Sequence, residues 1–153
     1  MLVEAQVTIN ASREAIWAAI TNIENAAEFM SGIEKVEILE KPASGLVGLK
    51  WRETRMLFGE PASAVKWITA AATNEFYQTR AEELGFVFIT TMRISDSRVS
   101  KNSGGMTLIS SHDSQPQGIV AKLKSIPMFL FKGTLKKAIL QDLNDMKAAI
   151  EQK

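Results

Sequence analysis

From Gly118 to Lys153 apolar residues fall at 119, 123, 126 and 130, then at 135, 139, 143, 146 and 150. Steps of three and four place them along one side of a helix. No earlier stretch keeps that period for long, and nearly everything before Gly118 reads as strand. A long amphipathic helix needs a surface to lie on, and a sheet is the only one this chain offers. The pattern predicts a helix and a sheet that clasp a largely apolar cavity. Pro127 lacks the amide a helix needs and clashes with the preceding turn, and Gly133 weakens the turns around it. The expectation is a short helix near Ile119–Ser125, a break at Ile126-Pro127, and a gripping helix from about Met128 to Ile150.

The strands are read from alternation. Val3, Ala5, Val7 and Ile9 alternate with polar residues over 2–9, the mark of a half-buried strand. Ser12 then caps a helix over Arg13–Thr21, with Glu14 in its first turn. A second short helix follows at Asn25–Met30, with Gly32 as its C-cap. Neither helix is long enough to be stable alone. From there the period is two. Strands are expected at Lys35–Lys41, Val47–Leu57, Ala62–Ala72, Phe76–Ala81, Phe86–Ser95 and Met106–His112, with a polar loop at Asp96–Gly105. Short connections predict antiparallel pairing of consecutive strands. The class is α+β: a curved seven-stranded antiparallel sheet wrapped around a long C-terminal helix, with two short helices between strands 1 and 2. One domain over 1–153 is expected.

Composition narrows the function. The chain has 18 basic and 17 acidic residues and a net charge of +1. That balance gives no electrostatic footprint for nucleic acid. With no cysteine and one histidine, no metal site of the usual kind is expected. No cofactor is expected either, since no glycine-rich phosphate loop opens a helix. No apolar run reaches the length of a bilayer, so stable membrane insertion is not expected. The absence of cysteine and of an N-terminal signal peptide points to the cytoplasm. A monomer or a homodimer would both fit.

The segment Ser12-Arg13-Glu14-Ala15-Ile16-Trp17-Ala18-Ala19-Ile20-Thr21-Asn22 follows the first strand. Gly48 opens the third strand, Gly59 follows it, and the long last helix ends in lysines and glutamates. This order resembles the START and birch-pollen-allergen-like superfamily, abbreviated SRPBCC. Within it, the chain looks like the bacterial polyketide cyclase/dehydrase and lipid transport branch. The resemblance spans essentially the whole chain, although Phe29 stands where members commonly carry tryptophan. It implies a helix-grip fold with a cavity for a hydrophobic small molecule such as a lipid, sterol, hormone or polyketide, and it places the cavity entrance at the break near Pro127, which is therefore read as a gate. Some members are cyclases or dehydratases and some regulate chaperones; the fold does not choose among them.

Alternation also nominates the cavity wall. Trp51, Glu53 and Arg55 share one face, as do Thr90 with Phe88 and Met92, and Leu108 with Ser110 and His112. Those residues, with Phe131 and Leu135 from the C-terminal region, form the expected ligand-binding set. A mostly apolar pocket with a few converging polar groups is the usual composition of a ligand site. Candidates for acid–base chemistry are His112, Glu53, Arg55 and Tyr77. Asp113 next to His112 does not make a dyad, because neighbours on a strand point to opposite faces. The plainer reading of His112 is a partly solvated strand end. The plainer reading of Glu53 and Arg55 is a solvated outer face; the alternative is an inward ion pair that orients a ligand carbonyl or carboxylate. Ile126–Phe131 is the most apolar run, read first as core. The alternative is a lip against a membrane or another subunit, helped by Lys122, Lys124, Lys132, Lys136 and Lys137. Three functions follow: a binding module for an apolar or amphipathic molecule, a cyclase/dehydratase using the same cavity, or a protein-interaction module.

Overall fold

The computed structural model describes residues 1–57, 59–96, 105–119 and 131–152. Seven strands form one sheet: β1 (Leu2–Ile9), β2 (Ile33–Glu40), β3 (Lys50–Leu57), β4 (Glu60–Ala72), β5 (Phe76–Glu83), β6 (Phe86–Asp96) and β7 (Met106–Pro116). Their order is β1-β7-β6-β5-β4-β3-β2, and every neighbouring pair is antiparallel. Strands β2 to β7 are the expected meander. Strand β1 does not pair with β2; it closes on β7, with Val3 opposite His112 and Ala5 opposite Ser110. Two helical segments separate β1 from β2 and carry the chain across to the far edge. They are α1 (Arg13–Ile20) and a 3-10 helix at Ile23–Glu28. The C-terminal helix α2 (Lys132–Glu151) lies on the same side of the sheet.

Local chemistry sets these boundaries. Ser12 Oγ accepts the amide of Ala15 at 3.1 Å, so the cap acts as expected. The second short segment is a 3-10 helix and not an α-helix. Gly32 is no left-handed cap, since its φ is not among the positive values, and the residue after it already belongs to β2. A Cβ at Gly32 would lie 2.9 Å from Arg55 Nη1 and 3.3 Å from Asp142 Oδ1. The glycine is there for space. Strand β3 starts at Lys50, later than Val47, because Gly48 turns the chain at φ +97°. Strands β5 and β7 run to Glu83 and Pro116, past the expected ends. They extend because β6 offers partners along its whole length, Glu83 opposite Phe86 and Phe86 opposite Pro116.

The core lies between the concave face and the helices. The stripe on α2 is as its spacing predicts: Ile139, Leu143, Met146 and Ile150 are buried. They meet Ile9, Ile16, Ile20 and Leu108, which have almost no exposure. Among the described residues, no helix is long and apolar enough to cross a membrane. The expected helix at Ile119–Ser125 (Ile119 apart), the break and gate at Pro127, the run Ile126–Leu130, and Lys122 and Lys124 lie outside the described residues. So does most of the loop Asp96–Gly105.

Candidate functional site

Between the concave face of the sheet and α2 is a cavity of about 90 Å³. Strand alternation delivers its wall. On β3, Trp51 and Glu53 are buried and point inward with Arg55, while Arg52 is exposed. Lys66 of β4 sits directly opposite Trp51, and so reaches the same face. Two rows cross the sheet beside them. One is Tyr77–Met92–Ser110–Ala5 and the other Thr79–Thr90–His112–Val3. Helix α2 closes the space with Ile139, Asp142, Leu143 and Met146, and Phe29, Met30 and Ile33 complete one end.

Among the apolar lining residues and the polar Thr79, Thr90, Ser110 and His112 is a chain of four charges. Glu53 Oε1 accepts from Arg55 Nε at 2.7 Å and from Lys66 Nζ at 2.9 Å. Its other oxygen accepts from the Trp51 indole at 3.4 Å. The far side of the Arg55 guanidinium meets Asp142, Nη1 to Oδ1 at 3.2 Å and Nη2 to Oδ2 at 2.9 Å. The chain Lys66–Glu53–Arg55–Asp142 therefore ties the sheet to α2. Formal charge within it sums to zero. Glu53 and Arg55 thus face inward; the outer-face reading fails because burying Trp51 on this strand fixes the face of residues 53 and 55 too.

The two carboxylates on Arg55 respond differently. Burial pushes Glu53 up, but Lys66 and Arg55 together outweigh it and hold the carboxyl at about 2. At Asp142 burial wins over Arg55, and the carboxyl is raised above its ordinary value. Arg55 itself loses by burial, and is more than restored by Glu53 and Asp142. His112 is lowered to about 4, first by burial and then by the Lys66 and Arg55 charges. It is a neutral imidazole at pH 7, with Ser110 Oγ 2.9 Å from Nε2 and Thr90 Oγ1 3.4 Å from Nδ1. The strand-end reading of His112 is corrected: β7 continues to Pro116, which places the ring inside. Asp113 faces away and lies 3.7 Å from the N-terminal ammonium, so no His–Asp dyad forms.

The expected site residues Trp51, Glu53, Arg55, Tyr77, Thr90, Met92, Ser110 and His112 line the cavity together. Tyr77 presents its ring but not a free phenol: its hydroxyl donates to the Ile20 carbonyl at 3.2 Å and is raised by burial. Four expected residues are not in the wall. Leu108 is wholly enclosed in the core. Phe88 stacks on Phe86 at 6.0 Å, one row further along the sheet. Leu135 packs half-buried on the core, and Phe131 is exposed. Sequence reasoning missed Lys66 and Asp142. Lys66 lies between Val65 and Trp67, so the apolar neighbours on either side of it give no signal that the lysine faces inward. Asp142 directly precedes Leu143 on the buried stripe, where helical spacing gives a signal.

A seven-stranded sheet gripping a C-terminal helix around such a cavity defines the helix-grip fold of the START superfamily. Residues 9–116 match the family described as polyketide cyclase / dehydrase and lipid transport, and the chain belongs to that family. Among solved structures it is similar to a START superfamily protein from Mycobacterium smegmatis. Identity is 16%, the TM-score 0.79, and 99% of this chain and 97% of that one are covered. It is also similar to the Zhui aromatase/cyclase from Streptomyces sp. R1128, at 19% identity and TM-score 0.78, with 99% and 94% covered. A protein from Thermus thermophilus matches at 11% identity and TM-score 0.79, over 99% and 98%. At these identities the likeness is one of fold. No curated protein matches the sequence significantly.

Proposed function

We propose that this chain binds a hydrophobic or amphipathic small molecule between the sheet and α2, with a polar end of the ligand at the Arg55–Lys66–His112 wall. The observation that carries this reading is the enclosed cluster of Lys66, Glu53, Arg55, Asp142 and His112 within a lining of Trp51, Met92, Ile139, Leu143 and Met146. Glu53 is buried and Arg55, Lys66 and Asp142 are half-buried; charges withdrawn from water are costly to keep, and here they line an open space. Pockets for drug-sized ligands run to about 300–1,000 Å³, well above the 90 Å³ present. Met30, Met92 and Met146 line the space, and unbranched thioether side chains re-pack readily around a guest. Native mass spectrometry of the purified protein should show a co-purified apolar mass, and an apolar fluorescent dye should be displaced by candidate ligands. Protein that is always empty and takes up no dye would overturn the reading.

The imidazole supports a second reading, proton-transfer chemistry of the cyclase/dehydratase kind. His112 is neutral and held between two hydroxyls, a state in which imidazole can accept or relay a proton. Under that reading, His112→Ala abolishes turnover of a bound polyketone while dye binding persists.

A further inference from the structure

The wall holds two carboxylates on one guanidinium, and they are not equivalent. Glu53 receives three donors, all from the sheet, and its side chain is 8% exposed. Asp142 has Arg55 as its hydrogen-bond partner among the described residues, is 20% exposed, and stands on the helix. Its Arg55 contact is the two-pronged geometry a guanidinium offers to any carboxylate.

We propose that the ligand is an apolar acid, a single carboxylate on an apolar body, and that it binds by exchange: its carboxylate replaces that of Asp142 on the Nη1/Nη2 side of Arg55. This rests on the cavity-binding reading above. Arg55 keeps Glu53 on Nε throughout. The displaced Asp142 takes one proton from solvent, so the charge of the cavity stays at zero and no ion is left unpaired. Asp142 is the carboxyl already favoured for protonation by its burial, whereas Glu53 is held ionised. The charged groups facing Asp142 are Arg55 and Glu53 from β3 and Lys66 from β4. His112 on β7 lines the same space. Separation of Asp142 from Arg55 also removes the ion pair between α2 and β3, while the buried stripe of α2 and the Lys147–Thr8 bond stay in place.

The test is titration calorimetry of the whole chain with decanoate, decane-1-sulfonate and 1-decanol, each in two buffers of different ionisation enthalpy. The sulfonate stays charged, so a proton taken up with it belongs to the protein. Exchange predicts uptake of about one proton with each anion and none with the alcohol. Anion affinity should rise by up to about tenfold per pH unit lowered from about pH 8 to about pH 6. Asp142→Asn should remove the uptake and the pH dependence, and His112→Gln should leave both. Anion binding without uptake would overturn the proposal, as would uptake that survives Asp142→Asn but disappears in His112→Gln. If Asp142→Asn does not fold, the wild-type and His112→Gln titrations still decide. Binding of the alcohol alone would overturn the exchange and leave cavity binding standing. Binding of none of the three would count against both.

Discussion

Glu53 shows how one buried side chain can be kept charged. It has lost most of its water, and three donors replace it at 2.7, 2.9 and 3.4 Å. Replacing it by glutamine leaves Arg55 and Lys66 facing each other without an anion between them. Glu53→Gln should therefore cost about 3–5 kcal/mol in chemical denaturation, the usual penalty for breaking a buried ion pair from one side. A loss under about 1 kcal/mol would show that water enters the site freely.

His112 gives a pH dependence of definite sign. Its folded value is depressed to about 4 from an ordinary value of 6.5. Between those values the unfolded chain holds a proton that the folded chain refuses. Stability is therefore fully present above 6.5 and falls as the pH drops towards about 4, by up to about 3 kcal/mol from this one group. His112→Gln should flatten that part of the curve of unfolding free energy against pH. An unchanged curve would place the titrating group elsewhere.

At the scale of elements, the strand β3 and the helix α2 are joined through Arg55 and Asp142, and Gly32 lets the chain pass over the joint. A methyl there meets the guanidinium at 2.9 Å. Gly32→Ala should cost about 1–3 kcal/mol through overpacking and should weaken the hold on α2. Hydrogen exchange around Asp142 should speed up while amides in β6, at the centre of the sheet, stay protected. Equal acceleration in both would indicate general destabilisation. The strand pattern was legible because half-buried strands alternate: residues 51, 53 and 55 share one face, as do 110 and 112, although whether Glu53 and Arg55 faced in or out was not legible. The 3-10 geometry at Ile23–Glu28 was not legible, since six residues with apolar and polar types mixed fit either helix.

For the whole molecule, the cavity lies between the sheet and α2, bridged on its polar side by the Arg55–Asp142 pair and lined by apolar side chains of both layers. Leu143 is 1% exposed and lines that space. Leu143→Ala should cost about 2–5 kcal/mol by leaving a void, and should increase binding of an apolar dye through the added room. Reduced dye binding in a folded Leu143→Ala protein would place the binding surface outside the cavity.

By itself the sequence determined the class of fold. Periods of two and of 3.6 residues are local properties, and a long amphipathic helix after several half-buried strands leaves few ways to cover both apolar faces. The same periodicity put Trp51, Glu53, Arg55, Ser110 and His112 on common faces. Only the tertiary structure decided that Lys66 and Asp142 join them. Lys66 does so through cross-strand register with Trp51, and Asp142 through its pairing with Arg55 across the cavity. Tertiary structure also turned Tyr77 into an anchor for Ile20 and left Phe88 and Leu108 out of the wall. Which polar groups meet depends on distances between segments far apart in the chain, and periodicity along one segment carries no information about them.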